Sequence, residues 1–436
     1  MARIKAEAII VITGLISLIA LRAESIAGEI TVGKGSAYSS ITEALRNSAE
    51  GDTIVVKEGV YRENIVLDKK VFLIGENQPV IDGGYKGDVI RIEADGVLIK
   101  GFTIRRSGGD LLKDESGIKI ANSRGVIIEE NKLEDVIIGV YLYSSSGNTI
   151  RNNTSYGRAD YTTEEENGNG IHLWKSPNNT IEGNHIVKHR DGIYVEFSPG
   201  NSIRGNHCER NVRYGLHYMY SDDNTFEENT FERNGTGSAI MYSKNIVLRK
   251  NAFKNNLGPN GFGMLLKSLN DTLARGNIIS NNTVGVFMDD ANRNVFTGNV
   301  FLQNGWAIDL FSSSNDNTIY GNDFLDNTYQ VMTDTDRTTN RFFKDSTGNY
   351  WSDYKGYNGY DLDGDGIGDI PYKPVKLLSY LMKRYPDLTV FMESPGMKAL
   401  EFAERIIPVL NPVEIEDPYP LMNPVWTNEG TKNDKD

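Results

Sequence analysis

The sequence predicts an all-β chain wound as a right-handed parallel β-helix, and three observations carry that prediction. A motif of the form Asn-(Thr/Ser)-apolar-x-x-Asn recurs, as NTIRNN at 148–153, NTIEGN at 179–184, NSIRGN at 201–206, NTFEEN at 224–229 and NTIYGN at 317–322. Its closing asparagines fall at 131, 153, 184, 206, 229, 251, 277, 299 and 322, with gaps of 22, 31, 22, 23, 22, 26, 22 and 23. Between the motifs, apolar residues alternate in short runs bounded by Asn and Gly, and the chain holds 44 glycines. A unit near 22 residues cannot bury its own apolar side chains, so successive coils must stack to make a core. Stacking puts equivalent positions about 4.8 Å apart, close enough for corner asparagines to bond as an amide ladder. The Leu-x-x-Leu-x-Leu frame of a leucine-rich solenoid is missing, and period-two alternation excludes a helical repeat.

The elements follow in chain order. Arg3 and Lys5 precede an apolar run from Ile9 to Leu21, and Ser25 and Ala27 supply the small residues of a cleavage site, so 1–27 reads as a secretory signal peptide. The apolar run is short for a membrane span, with an uncleaved anchor as the alternative. Residues 28–60 read as an N-terminal cap, in which Ser40 starts a short amphipathic helix carrying Ile41, Ala44 and Leu45. The β-helix proper is expected over 61–345. Its 31-residue gap implies an insertion within GRADYTTEEENGNG (157–170), and the 26-residue gap a smaller one around 257–263. Residues 346–436 read as an acidic loop, a helix starting at Ser394-Pro395 and ending before Pro408, and an extended Pro-rich end.

Each coil also carries a Gly followed by alternating residues, such as GIHLWKSP, GIYVEFSP, GLHYMYSD and GSAIMYSK. The first and third residues after the Gly are mostly apolar and point inward, so the second and fourth share an outward face. That face carries Tyr141 and Tyr143, His172 and Trp174, Tyr194 and Glu196, His217 and Met219, and Ala239 and Met241. Stacking brings Met219 beside Met241 with His217 on the same face. Imidazole and thioether form a soft set suited to Cu(I) and poor for Ca²⁺ or Mg²⁺. Methionine is equally a common gap filler, so packing and metal binding both remain open from the residues alone. His185 and His207 stack one coil apart on another face. Cys208 occupies a slot filled by Phe231, Phe253, Phe301 and Phe324 in other coils and reads as core.

DLDGDGIGD (361–369) places Asp361, Asp363, Asp365 and Asp369 at the oxygen-ligand positions of an EF-hand-type loop, with Gly366 at its sharp turn. A structural Ca²⁺ is the expected ion, although Tyr372 stands where the bidentate Glu belongs. The net charge of −13 excludes nucleic acid as a partner, since nothing neutralises a run of phosphates. A single cysteine leaves no intramolecular disulfide. An enzyme on polysaccharides (lyase, hydrolase or epimerase) is the rival class. Tyr141, Tyr143, Trp174 and Tyr194 could stack on sugar rings, and Asp222-Asp223 or Asp289-Asp290 could supply carboxylates. No convincing catalytic base shares their face, and residues 61–345 carry no Asn-Thr-Asp, His-Gly or Arg-Ile-Lys set of the kind pectin hydrolases carry. A non-catalytic carbohydrate-binding surface protein would explain the solenoid but not the HYMYS block.

The chain resembles the NosD family through VRYGLHYMYSDDNTFEENTFERN (212–234), AIMYSKNIVLRKN (239–251), GNYWSDYKGY, DLDGDGIGDIPY and SPGMKALEFAERIIPVLNPVEIEDPYPLMNP (394–424). The resemblance spans nearly the whole mature chain, and the YGLHYMYS and C-terminal blocks are its specific parts. It implies an exported, non-enzymatic accessory protein of nitrous oxide reductase maturation in the periplasm. Its partners would be an ABC transporter (membrane subunit and ATPase), a copper chaperone and the reductase, with copper and sulfur as the cargo considered. It turns His217, Met219 and Met241 into candidate copper contacts. The helix bearing Met397, Leu400, Phe402 and Ile406 becomes the candidate transporter-docking element, holding the chain at the membrane through its partner. The long acidic loop at 157–170 departs from the pattern and leaves its partner contacts open.

Overall fold

The computed structural model describes residues 28–158, 167–354, 361–391, 394–406 and 413–426. The expected signal peptide, the centre of the first insertion and Pro408 lie outside them. Three parallel sheets of 13, 12 and 13 strands wind into a β-solenoid of about 14 turns, with about 23 residues per turn. Each coil gives one strand to each sheet, as Thr225–Glu227, Thr230–Glu232 and Thr236–Lys244 do. No helix among the described residues is long and apolar enough to cross a membrane.

The core is one continuous file of inward side chains. Phe226, Phe231, Phe253, Phe301 and Phe324 are fully buried, and Cys208 fills the equivalent slot in its own coil, also fully buried. Phe231 stacks on Phe253 and Phe301 on Phe324, with centroids 5.4 and 4.5 Å apart. The closing asparagines form the expected ladder. Asn206 Nδ2 donates to Asn229 Oδ1 at 3.0 Å and Asn229 Nδ2 to Asn251 Oδ1 at 2.9 Å; the series ends with Asn322 donating to Asn349 at 2.9 Å. Each amide also satisfies a backbone carbonyl inside the turn, as Asn229 does with Ile203 at 2.8 Å. Buried polar groups need such partners, and here one residue type at one corner provides them coil after coil.

Two further columns accompany that ladder. Asn211, Asn234, Asn256, Asn282, Asn304 and Asn327 repeat the arrangement at a second corner, with Asn256 donating to Asn282 at 2.9 Å and Asn282 to Asn304 at 3.1 Å. Ser145, Ser176, Ser198, Ser221 and Ser243 accept backbone N–H groups at the end of the 12-stranded sheet, Ser221 N donating to Ser243 Oγ at 3.0 Å. A glycine near the start of most strands of this sheet is required by close approach. A Cβ on Gly215 would lie 2.6 Å from the Gly237 carbonyl oxygen of the next coil.

Helix α1 (Ile41–Asn47) forms as expected, with Ser40 as its N-cap and Ile41, Ala44 and Leu45 buried. Glu63 also receives the N–H groups of Ile41 and Thr42 at 3.0 and 2.8 Å. The segment read as a cap also contributes strands to the solenoid. Glu29–Val32 and Thr53–Val56 pair as the first two strands of a 13-stranded sheet. At the other end, Tyr350–Trp351 continues the third sheet beyond 345, with Trp351 stacked on Phe324 at 4.1 Å.

The tail contains a helix that sequence reasoning passed over, α2 (Leu377–Arg384), as well as the expected α3 (Pro395–Ile406). Leu378 and Met382 of α2 pack with Tyr329 on the last coil, and Met397 of α3 adds to that cluster. Lys383 Nζ lies 2.9 Å from both oxygens of Asp309. Burial raises the Asp309 carboxyl, against the opposing charge of Lys383. The extended end returns through Asp417, which accepts from Asn349 N at 2.7 Å and Trp351 Nε1 at 2.9 Å.

Candidate functional site

The outward face of the 12-stranded sheet carries two columns. In the first, Tyr141, His172, Tyr194 and His217 are register partners on successive coils, followed by Ala239 and Leu265. Their rings stack continuously at 4.7, 4.6 and 4.3 Å between centroids. The stack ends at His217 because Ala239 has no ring to continue it. In the second column, Trp174, Glu196, Met219, Met241 and Lys267 are partners in that order. Met219 and Met241 are therefore direct cross-strand neighbours, both half-buried.

His217 points to this face but is 6% exposed. Tyr194 covers one side of the ring, and Tyr214 approaches at 4.9 Å. Nδ1 lies 3.1 Å from Asp191 Oδ2, a fully buried carboxylate that also accepts from Arg213 Nε at 3.0 Å and Nη2 at 2.6 Å. Burial by itself would raise the Asp191 carboxyl; the hydrogen bonds and charges of His217 and Arg213 outweigh it and hold the group well below the usual carboxylate range. A carboxylate only accepts, so the Nδ1 proton belongs on His217 and the Nε2 lone pair is left for a ligand. Arg213 Nη2 also lies 3.2 Å from Nδ1 and, with two N–H groups, can reach Asp191 and Nδ1 together; the tautomer assignment rests on the shorter Nδ1–Asp191 contact. A carboxylate behind an imidazole is the usual means of fixing the tautomer and orientation of a metal-binding histidine. Asp191 escaped the sequence reading because it precedes Gly192, where the alternation breaks.

His172 is different. Burial, with the nearby charge of Arg190, lowers its imidazole to about 3, so the ring is neutral at pH 7. Both ring nitrogens are buried without a hydrogen-bond partner among the described residues. The ring is separated from His217 by Tyr194, so the two imidazoles do not share a ligand position.

Of the aromatic residues considered as a sugar platform, only Tyr143 is exposed among the described residues. Tyr141 is 3% exposed and packs with Ile137 and Ile138 against Leu111, while Tyr143 and Trp174 stack on each other at 4.9 Å. The exposed aromatic strip lies one residue further on. Phe197, Tyr220 and Tyr242 follow Glu196, Met219 and Met241 directly and stack at 5.2 and 5.0 Å. All three are exposed, and their backbones take the left-handed conformation that turns this corner. The corner position is visible in the repeat; that three aromatic residues line up there was missed. Asp222 and Asp223 sit at the next turn, where Asp222 accepts from Lys244 N and Asp223 from Asn245 Nδ2, each at 3.0 Å.

In the acidic loop, carboxylate oxygens of Asp361, Asp363 and Asp365 lie within 4.8 Å of one another. Asp361 accepts from Gly364 N and Gly366 N, and Asp369 closes the loop by accepting from Leu362 N at 2.7 Å. Tyr372 is buried with its hydroxyl on Asp353 and faces away from ligation. The donor set is hard oxygen throughout, a fit for Ca²⁺ without the twelfth-position carboxylate. On α3, Met397 and Leu400 are half-buried and Phe402 is exposed; Ile406 closes the helix.

These features define a parallel β-helix with an imidazole and two thioether side chains on one sheet face. The sequence profile described as "Periplasmic copper-binding protein (NosD)" matches residues 45–163 and 155–356. The chain belongs to the NosD family. A relative from Pseudomonas aeruginosa named "Probable ABC transporter binding protein NosD" is 29% identical, over 93% of this chain and 96% of its own length. One of the same name from Stutzerimonas stutzeri is 30% identical, over 84% of this chain and 85% of its own. Among solved structures, the Streptococcus pneumoniae surface adhesin PfbA superposes with a TM-score of 0.56 at 14% identity, covering 68% of this chain and 89% of the adhesin. That likeness concerns the fold alone.

Proposed function

We propose that this chain is an exported accessory protein for maturing the copper cluster of nitrous oxide reductase. It receives Cu(I) as cargo on the face carrying His217, Met219 and Met241. A periplasmic site of action follows the family's description, and work beside an ABC transporter follows the names of the relatives; the transporter's membrane subunit and ATPase are the partners we propose within it. The observation that carries the reading is the pairing of Met219 with Met241 beside an imidazole whose Nδ1 is engaged by Asp191. Two thioethers and one available imidazole nitrogen are all neutral, soft or borderline donors, the set that Cu(I) prefers. The exposed strip of Phe197, Tyr220 and Tyr242 supports docking of a protein partner such as a copper chaperone at the same rung, since stacked aromatics make strong interface anchors.

Helix α3, with Phe402 exposed, is the surface offered to the transporter, while Met397 holds the helix to the last coil. The Asp361–Asp369 loop holds Ca²⁺ as a structural ion at the join between solenoid and tail. The copper reading is tested by anaerobic Cu(I) competition against a chromogenic chelator, comparing the native chain with the H217A/M219A/M241A variant. The variant is expected to lose competition while keeping its circular dichroism spectrum. Equal binding by both proteins would overturn the ligand assignment. Release of unsaturated uronate from a polysaccharide panel would instead favour a lyase.

A further inference from the structure

A second set of ligating side chains lies on the third sheet, away from the methionines. His185–Val187, His207–Glu209 and Thr230–Glu232 stack on successive coils, pairing His185 with His207 and Glu209 with Glu232. Alternation sends Ile186, Cys208 and Phe231 into the core and leaves the His and Glu side chains outside. The two imidazoles stack at 5.0 Å. Each reaches diagonally to the next coil, His185 Nε2 to Glu209 at 3.1 Å and His207 Nε2 to Glu232 at 3.2 Å. Ligand atoms of His207, Glu209 and Glu232 all lie within 4.8 Å of one another.

Other coil-to-coil ion pairs on this solenoid use arginine or lysine, as Arg204 does with Glu182 at 2.8 Å, Arg249 with Glu227 at 2.9 Å and Lys100 with Glu129 at 3.0 Å. A guanidinium keeps its protons and cannot ligate; an imidazole can lose its proton and bind. Two histidines in the cation positions of adjacent rungs thus convert an ion-pair ladder into a cluster able to exchange protons for a metal.

We propose that His207, Glu209 and Glu232 form a divalent-cation site of the zinc class, with His185 orienting Glu209. One imidazole nitrogen and two carboxylates suit a borderline divalent ion, and a position is left for water. No sulfur reaches the site, since Cys208 points into the core and burial keeps its thiol protonated. Its chemistry therefore differs from that of the Met219–Met241 rung. The ligands come from two successive coils, so the bound ion links them. Two cations face the cluster: Arg210 Nε is 3.6 Å from Glu209, and Lys254 is the register partner of Glu232. They offset part of the carboxylate charge, which leaves the His207 nitrogen to confer selectivity for zinc over calcium.

The experiment titrates the full mature chain with Zn²⁺ against a zinc indicator, and with Co²⁺ for its visible absorption bands. His207→Ala and Glu209→Gln, both on the solenoid surface, should each weaken Zn²⁺ binding by about tenfold or more, and His185→Ala by less. The M219A/M241A variant should bind Zn²⁺ as the native chain does, and His207→Ala should leave Cu(I) competition unchanged. Equal Zn²⁺ affinity in the native and His207→Ala proteins would overturn the site. So would loss of Zn²⁺ binding in M219A/M241A, which would move the ion to the other face.

Discussion

Replacing Asp191 with Asn changes one charge and almost no volume behind the proposed copper face. Asp191 is fully buried and accepts three hydrogen bonds, two from Arg213 and one from His217 Nδ1. The amide keeps one acceptor but adds a donor that faces the Arg213 and His217 donors. Arg213 and Arg190 then lose their countercharge. Breaking a buried pair by removing one partner costs roughly 3–5 kcal/mol. Both arginine side chains retain about a quarter of their exposure, at 28% and 26%, so solvent screening brings the expected loss to about 2–3 kcal/mol. Asp191 titrates below the usual carboxylate range when folded. Its contribution is therefore present above about pH 4 and lost as the pH falls, and the two proteins should converge in acid.

The copper effect has a separate size. Losing the residue that orients a ligating histidine typically lowers metal affinity by about 10–100-fold, or about 1.4–2.7 kcal/mol. Stability is read by urea unfolding at pH 7 and at about pH 2, and affinity by chelator competition. A double-mutant cycle with His217→Ala decides the mechanism. If Asp191 acts by positioning His217, D191N should lower Cu(I) affinity in the native background and add little once His217 is gone. An equal loss in both backgrounds would refute the orienting role, as would a stability loss with affinity untouched.

Three other outcomes are expected. Asn229→Ala removes four side-chain hydrogen bonds, to Asn206 N, Asn206 Nδ2, Ile203 O and Asn251 Oδ1. At about 1 kcal/mol each, the loss should be about 4 kcal/mol, seen as new protease cuts near 206–251 and a lower urea midpoint; a loss under about 1 kcal/mol would show that the ladder is not stabilising. His172→Phe keeps the ring stack and removes two unpartnered buried nitrogens, so it should stabilise the fold by about 1–3 kcal/mol in thermal unfolding. A destabilised variant would mean that the imidazole has a bound partner. Burial pushes the Asp417 carboxyl up to about 6, above its unfolded value, so its proton stabilises the docked tail at low pH and that benefit is lost as pH rises through 6. Tail cleavage by protease should increase from pH 5 to pH 7 in the native protein and show a flatter dependence in Asp417→Asn.

The fold was legible because a coil of this size has few ways to satisfy its corners. An inward asparagine at each turn bonds both to its own coil and to the next, so its period survives in the sequence. The rung of His217, Met219 and Met241 was legible for the same reason, since register in a parallel stack follows from aligning equivalent positions. What lies behind that rung was not. Asp191 reaches His217 from the preceding coil, 26 positions earlier and across a glycine that interrupts the alternation. The depth of His217 was equally hidden, because period two gives a side chain's direction but not what covers it. Helix α2 was passed over because its eight residues follow an irregular stretch and carry no side-chain N-cap; docking on Tyr329 and Asp309 holds it instead.

The two proposed ligand faces differ in what the scaffold would offer a metal. A parallel stack fixes neighbouring side chains at strand spacing through backbone hydrogen bonds, so a two-coil site needs little ordering when the ion arrives. Its donor set then decides between holding and passing the ion. The single thiol of the chain, Cys208, is fully buried and kept protonated, so the His217–Met219–Met241 face has no thiolate to trap Cu(I). Neutral thioether and imidazole donors bind Cu(I) without paying for it in proton release, and a partner offering thiolates or a multinuclear cluster can take the ion onward. Reversible capture by neutral donors on a rigid rung, beside an exposed aromatic strip, is the chemistry that delivery demands and permanent storage does not.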